Sequence, residues 1–325
     1  MIIENSKTYN ATDVENIFFR PTFCGKSAEE LGIRVLYNMP TPTKVPLFRH
    51  RSDIVKNFSS GWQGGTSAEL TEQEIYLTKL KAEAAYSADS YFSTIFELLT
   101  NSAEVNMGDL SGTDLEKAET ELFRRALAES VYANTWFGDE EGEISTHGAF
   151  TGFIRNILNL KAEFSNMAVA IHNDTVENPA DEILREAWVS APSDLRALAS
   201  EGQLAYFVSS DIYDAYQFQL DDNGSSTSYT DGINGRPALS YHGIPLIEIP
   251  TQKYKLMKAK SFCLLTDRRN LVLALNTADS PEKEIRMWYN PDEMENRQRV
   301  VFLAGTLVAD KDIISGAIFH SGIEF

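Results

Sequence analysis

Leu204-Ala205-Tyr206-Phe207-Val208-Ser209-Ser210-Asp211-Ile212-Tyr213-Asp214-Ala215-Tyr216 changes its hydrophobic period partway along. Residues 204–208 are apolar without a break and include aromatic and β-branched side chains, which suits a strand. Beyond Ser210, Ile212, Tyr213, Tyr216 and Leu220 recur at helical spacing on one face. Ser210 stands where an N-cap belongs, so the stretch predicts a strand feeding a capped helix.

Upstream of it, Asn178 and Pro179 read as the N-cap and first turn of a helix that buries Ile183, Leu184, Ala187 and Trp188. Pro192 interrupts that helix, and a short one resumes through Leu195 and Leu198 to Gly202. Downstream, 221–235 is rich in Asp, Asn, Gly and Ser and reads as a surface loop. Strands then dominate: 238–241, a turn at His242-Gly243, then 244–249, 262–266, 271–275, 285–289, 300–308 and 313–319. This order of helices and strands makes the fold class α+β.

The most distinctive helix begins at Thr113. In Thr113-Asp114-Leu115-Glu116 the threonine hydroxyl and the glutamate carboxylate can each satisfy the other's backbone NH, a capping box. Leu115, Ala118, Leu122, Phe123, Ala126, Leu127 and Val131 follow as one apolar stripe. Gly138 is placed to adopt a positive φ and stop the helix, giving about 24 residues and roughly 36 Å. If Leu122 is buried in a core, Leu122→Ala costs about 2–5 kcal/mol. A second apolar helical pattern, Tyr91, Phe92, Ile95, Phe96 and Leu99, covers 88–100, and Asp139-Glu140-Glu141-Gly142-Glu143 reads as an acidic loop.

The N-terminal third contains a strand at 32–37, prolines at 40, 42 and 46, and a run 45–55 leading to the glycine-rich 59–65. Residues 69–80 can pair back on that run, which makes a long projecting hairpin. Between 38 and 60, Lys44, Arg49, Arg51 and Lys56 face a single acid, Asp53. A basic arm on an acidic body fits an acidic surface on another copy of the chain. Lys44, Arg49, Arg51 and Lys56, with Trp62 at the tip, are therefore the candidate contacts between subunits.

A formal net charge of -18 repels phosphate backbones and argues against sequence-independent wrapping of nucleic acid. Cys24 and Cys263 match no metal or redox spacing and read as two buried thiols in a reducing compartment. No run approaches the ~20 apolar residues of a membrane span, and the first residues lack a secretory pattern, so folding in a cytoplasm is expected. His50, His147, His172, His242 and His320 are scattered without metal-ligand spacing. The sequence lacks nucleotide-binding glycine motifs and a GxSxG elbow. Asp221-Asp222-Asn223-Gly224 has the flavour of a calcium loop, but Gln219 stands where its first Asp belongs and the closing Glu is missing. No catalytic, cofactor or metal residue is assigned; a hydrolase using a carboxylate pair is the reading left open by 47 acids.

Tyr206-Phe207-Val208-Ser209-Ser210 with Tyr213 and Tyr216 resembles a strand and helix of the major capsid proteins of tailed bacteriophages, the Hong Kong 97-type fold. Asp231-Gly232, Leu239-Ser240-Tyr241-His242-Gly243-Ile244-Pro245-Leu246 and Ile249-Pro250 are similar to that family's "DG…L.Y.GIP…..P" segment. Leu264-Leu265-Thr266-Asp267-Arg268-Arg269-Asn270-Leu271 resembles its "lT..NL" turn, and 299–308, with Phe302 and Gly305, its closing strand. The likeness spans roughly 33–320. It implies an N-terminal arm at 1–37 and an extended loop, a β-hairpin, at 38–85. It also implies a peripheral domain at 86–165 and 281–325, built on the Thr113 helix as its spine, and an axial domain at 166–280.

The resemblance further implies a non-enzymatic structural subunit. Such a subunit would self-assemble into pentamers and hexamers of an icosahedral head around double-stranded DNA, without sequence-specific binding. The virion would be its location and the host bacterial cytoplasm its place of assembly. A separate scaffolding protein, a portal and a decoration protein would be its partners, with no membrane and no cofactor. An encapsulin-type nanocompartment shell protein shares the fold and is the alternative. In members that weld their shells, a lysine of the extended loop joins a neighbour's asparagine. Neither Lys44 nor Lys56 carries a pattern that marks it for that role.

Overall fold

The computed structural model describes residues 28, 31–37, 43–50, 57, 58, 60, 68–87, 114–177, 179–222, 239–276 and 286–324. The expected helix at 88–100, Thr113, Cys24, Asn178 and the body of the 221–235 loop lie outside the described residues. In chain order the first strands are β1 (Arg34–Tyr37), β2 (Thr43–His50), β3 (Ala68–Ile75) and β4 (Thr78–Ser87). Then come α1 (Asp114–Phe137), α2 (Phe153–Glu163), β5 (Ala168–His172), β6 (Val176–Glu177), α3 (Ala180–Val189) and α4 (Ser193–Ala197). Next are β7 (Leu204–Ser209), α5 (Ser210–Asp222), β8 (Ser240–Tyr241), β9 (Ile244–Ile249), β10 (Ser261–Asp267) and β11 (Leu271–Asn276). The last strands are β12 (Arg286–Asn290), β13 (Glu295–Val308), β14 (Ile314–Phe319) and β15 (Ile323–Glu324).

The chain divides into two compact units. One comprises Met1–Cys24, Lys79–Val131 and Thr277–Phe302; the other comprises Gly25–Thr78, Tyr132–Asn276 and Leu303–Phe325. In the first, β12 and the start of β13 form an antiparallel ladder from Arg286↔Arg299 to Asn290↔Glu295. Arg299 lies over the Trp288 ring at 5.8 Å. On α1, Glu121 pairs with Arg124 at 3.2 Å and Arg125 at 3.0 Å.

The second unit is organised on a six-stranded sheet of order β5-β14-β10-β7-β9-β8. Every residue of β7, β10 and β14 is buried, because both faces of the sheet are covered. Leu204, Tyr206, Val208, Cys263, Leu265 and Phe319 pack with Ile183, Leu184 and Ala187 of α3 and Ile212, Tyr213 and Tyr216 of α5. The alternate positions face the other way. There, Trp136 near the end of α1 lies 5.4 Å from Phe207, 6.3 Å from Phe262 and 5.3 Å from Phe153 of α2, between ring centroids. The strand read at 204–208 and the apolar stripe of α5 are both present. The helix begins at Ser210 itself, so Ser210 is not a cap; its hydroxyl donates to Glu248 at 2.8 Å.

A second sheet in this unit joins β1, β11 and the end of β13, with β1 parallel to β11 and β11 antiparallel to β13. The β2–β3 hairpin, in register from Thr43↔Ile75 to His50↔Ala68, is rooted here. Val45, Ile75 and Leu77 pack on Val272 and Ala274. The single returning strand expected at 69–80 is two strands, broken at Tyr76 and Leu77. The Tyr76 carbonyl presses against β13, where a Cβ on Gly305 would come within 2.2 Å of it.

The chain passes between the two sheets at two places, β10 to β11 and β13 to β14, and one buried polar cluster holds both. Asn270 Nδ2 donates to the Asp310 carbonyl at 2.9 Å and to Thr266 Oγ1 at 3.1 Å, while its Oδ1 accepts from Asp310 N at 2.7 Å. Thr266 Oγ1 donates to the Ile313 carbonyl at 2.8 Å. Asp267 closes the turn by accepting from Arg269 N at 2.8 Å and pairing with the Arg269 guanidinium at 2.6 Å.

Helix α1 has the expected 24 residues, but its details differ from expectation in two respects. Gly138 does not stop it through a positive φ. Its Cβ would fall 2.1 Å from the Phe150 carbonyl oxygen and 2.4 Å from that of Asn134, so close backbone approach is what requires glycine. Moreover, Leu122, Phe123, Leu127 and Val131 are only half-buried and Ala126 is exposed, whereas Tyr132 to Asp139 are all buried. The helix α2 and strand β5 were not foreseen. Gly152 at the N-cap of α2 makes no side-chain cap bond, which removes the usual start signal.

Half-burial lowers the expected cost of Leu122→Ala to about 1 kcal/mol in the isolated subunit. Asn270→Ala removes three hydrogen bonds from a buried cluster, two of them to the Asp310 backbone, and should cost about 3 kcal/mol. Denaturant unfolding of the two variants, compared at equal m-value, checks both figures.

Candidate assembly surfaces

The hairpin brings only part of the expected contact set into view. Lys44, on β2, is exposed and pairs within its own chain with Glu72 of β3 at 2.7 Å. That hydrogen bond and charge hold its ammonium above the usual lysine range. Arg49 stands opposite Glu69 in the ladder. Arg51, Lys56 and Trp62 lie outside the described residues. Strand β3 carries Glu69, Glu72 and Glu74, so the hairpin supplies carboxylates opposite its own cations. Phe58 is 99% exposed among the described residues.

The acidic loop after α1 is anchored by burial of its first carboxylate. Asp139 accepts from the backbone NH groups of Glu141 at 3.2 Å, Glu143 at 2.7 Å and Ile144 at 2.9 Å. Arg155 of α2 lies between Asp139, at 3.5 Å, and the carboxylates of Glu141 and Glu143, the latter at 3.2 Å. Glu143 also pairs with Lys258 at 3.3 Å. The Lys258 hydrogen bond, followed by Arg155, draws the Glu143 carboxyl below its usual range. A cation clamp organises these acids, which differs from the paired acid and base of a glycosidase-like site.

The loop from Pro250 to Lys260 was not singled out beforehand, yet its signal is plain in the sequence. Lys253, Lys255, Lys258 and Lys260 are all exposed, and 249–266 contains no acid, in a chain of net charge -18. Tyr254 fixes the loop, its ring 5.4 Å from Phe137 and 5.6 Å from His147. Met257 NH donates to the Ile144 carbonyl at 2.7 Å.

Groups with chemical potential elsewhere have structural employment. The Cys263 thiol is fully buried, and desolvation pushes its pKa far up, so it is no nucleophile. Tyr206 and Tyr132 are likewise raised by burial. Asp211 accepts from the hydroxyls of Ser209 and Ser261. His172 stacks on Phe319 at 4.8 Å. Among the described residues no group of three or more His, Cys, Asp or Glu is disposed to hold a metal ion, and no helix is long and apolar enough to cross a membrane. Asp221 and Asp222 are the last two residues of α5, and the rest of the Asp221–Gly224 stretch lies outside the described residues.

No protein-family model and no curated protein matches this sequence. Solved structures do match, along almost the whole chain. The capsid of an empty GTA particle shares 14% identity, covers 97% of this chain and 99% of its own, and superposes with a TM-score of 0.53. A satellite phage P4 procapsid shares 8% identity, with 90% and 94% covered and a TM-score of 0.51. The SrpI encapsulin of Synechococcus elongatus shares 12% identity, with 95% of each chain covered and a TM-score of 0.50. The chain therefore has a capsid-like fold of mixed helices and strands, common to shells that differ in contents.

His320 supplies a pH readout for the Lys258 surface. Its Nδ1 accepts from Ala259 NH at 3.3 Å. Burial, then Lys258, lowers its pKa from 6.5, with Glu143 pulling the other way. The unfolded chain thus takes up the proton first. Stability is complete above pH 6.5 and is lost as pH falls from 6.5 through the lower folded value. His320→Gln should flatten the decline of Tm between pH 7 and the onset of carboxylate titration, and an unchanged slope would exclude His320 as its source.

Proposed function

We propose that this chain is the major capsid protein of a tailed bacteriophage, a structural subunit of the Hong Kong 97 type with no catalytic role. It assembles into pentamers and hexamers of an icosahedral head that encloses double-stranded DNA without reading its sequence. The observation that carries this reading is the superposition on a GTA particle capsid subunit over 97% of this chain and 99% of that one. A partial or modular likeness would leave room for another activity, but here almost no chain remains unaccounted for.

In this reading 1–37 is the N-terminal arm and 38–85 the extended loop. Residues 86–165 with 281–325 form the peripheral domain around α1 and 166–280 the axial domain, except that β14 pairs with β5 and β10 and so goes with the axial sheet. The hairpin supports it physically. Its strands β2 and β3 are tied to the body through Val45, Ile75 and Leu77, so an arm on that root can carry force from a neighbour. The contacts between copies are heterologous, one face meeting a different face until the ring closes. A separate scaffolding protein, a portal and a decoration protein complete the particle, which is assembled in the host cytoplasm. An encapsulin-type nanocompartment is the second reading, favoured only by the likeness to the Synechococcus shell.

Negative-stain microscopy and sedimentation of the full chain, alone and co-expressed with the products of adjacent genes, test the proposal. Closed shells are expected. A monomer under every ionic condition would end it, and shells filled with a protein cargo would favour the encapsulin. Arg49→Glu with Arg51→Glu should leave the subunit folded, since a like-charge cross-strand pair costs about 0.2–1 kcal/mol. Shell yield should nevertheless fall about tenfold; normal yield would remove the arm's cations from the contact.

A further inference from the structure

The backbone at Ala259, near the end of the 250–260 loop, is held in a conformation it would not keep by itself. Ala259 is fully buried and has φ +53°, in the left-handed region that a residue with a Cβ disfavours. Its NH donates to Nδ1 of His320 at 3.3 Å. The imidazole is fixed from the other side, since His320 follows β14 and its own NH donates to the His172 carbonyl at 2.8 Å. A strained loop residue is thus fastened to a ring at the end of a core strand.

Only a neutral ring can make that bond. A protonated imidazole carries a hydrogen on both nitrogens, so Nδ1 would point a donor at a donor. The surrounding charges oppose protonation as well. His320 lines a cavity of 370 Å³ with Lys258 of the loop, Arg155 and Lys161 of α2, and Glu143 as the acid of the set. Lys161 donates to the Ser165 and Met167 carbonyls, and Arg155 is also engaged by Asp139 and Glu141. Glu143 is held by both Arg155 and Lys258, which draw its carboxyl below the usual range. It therefore stays charged through the interval in which His320 takes up its proton. Burial and then Lys258 lower the His320 pKa from 6.5, and both causes weaken once the loop lifts away.

We propose that His320 is a proton-operated latch on the lysine loop, closed while the imidazole accepts from Ala259 and released when acid turns Nδ1 into a donor. Release frees Ala259 from its left-handed conformation and separates Lys258 from Glu143. Lys258 and Lys260, which flank Ala259, then pass from a fixed surface to a mobile one. The Tyr254 ring, packed on Phe137 and His147, anchors the far end and keeps the movement local. The latch is a property of the subunit and does not rest on the shell reading. One proton is taken up on release, so opening gains at most about tenfold per pH unit.

Hydrogen exchange of the full chain, read by mass spectrometry and corrected for the intrinsic effect of pH, tests the latch. Between pH 7.5 and 5.5 protection of 256–260 should fall by at least about twofold, to a limit of about tenfold, while 204–209 in the core stays unchanged. His320→Gln removes the titration and should hold the fall below about twofold. Ala259→Gly relieves the positive φ, so its loop should be better protected than wild type at both pH values. A fall below about twofold in wild type overturns the latch. So does a larger fall in His320→Gln, which would assign the proton to His147 or to the acids of the 139–143 loop. Parallel loss at 204–209 also overturns it, because the change would then be global unfolding. Should His320→Gln not fold, Ala259→Gly decides in its place, and weaker protection than wild type ends the proposal.

Discussion

Asn270 and Asp310 hold the second unit at the point where it would otherwise come apart. The chain leaves the six-stranded sheet after β10 and returns to it before β14. Both passages meet at a pair of hydrogen bonds of 2.7 and 2.9 Å that satisfy the Asp310 NH and carbonyl. Thr266 extends the cluster to Ile313. Buried polar groups are costly unless paired, and here the pairing is complete enough to fix both crossovers in one geometry. The relative placement of β11 and β14 follows from it, and with β11 goes the floor on which the β2–β3 hairpin stands.

That arrangement explains why apolar surface is used unevenly. The six-stranded sheet consumes it on both faces, with Tyr206 and Cys263 toward α3 and α5 and Phe207 and Phe262 toward Trp136. Helix α1 shows the opposite economy over most of its length. From Tyr132 onward it is as buried as any strand, but the preceding turns keep Leu122, Phe123 and Leu127 half-exposed. Its apolar stripe is thus less enclosed than the core strands, as far as the described residues go.

Charge is distributed with the same division of labour. Where carboxylates serve the fold they are enclosed and paired, as Asp139 is by three backbone NH groups and Arg155. Elsewhere carboxylates are in excess, and the 250–260 loop stands out because its four exposed lysines lie in a run without an acid. An acidic surface with a few concentrated basic patches resists unspecific association and favours a small number of defined contacts. Short loops with fixed aromatic anchors, such as Tyr254, give those contacts a position as well as a sign.

Much of this was legible from residue order alone. The strand-to-helix change at Ser210, the 24-residue length of α1, the pairing hairpin and the strands of the last third all follow from periodicity and turn residues, because these are local properties. The Thr266 to Leu271 stretch could be recognised by its pattern, but not its purpose. Asn270 finds Asp310 forty residues away, and no local rule connects them. Gly138 and Gly305 likewise looked like conformational glycines or plain strand residues until neighbouring carbonyls were seen to occupy the space of a Cβ. The break between β3 and β4 and the burial of Asp139 belong to the same kind. The sequence by itself determined which segments become helix or strand and where charge accumulates. Only the tertiary structure decided which apolar stripes are fully buried and which are only half-covered, since burial depends on partners distant in sequence.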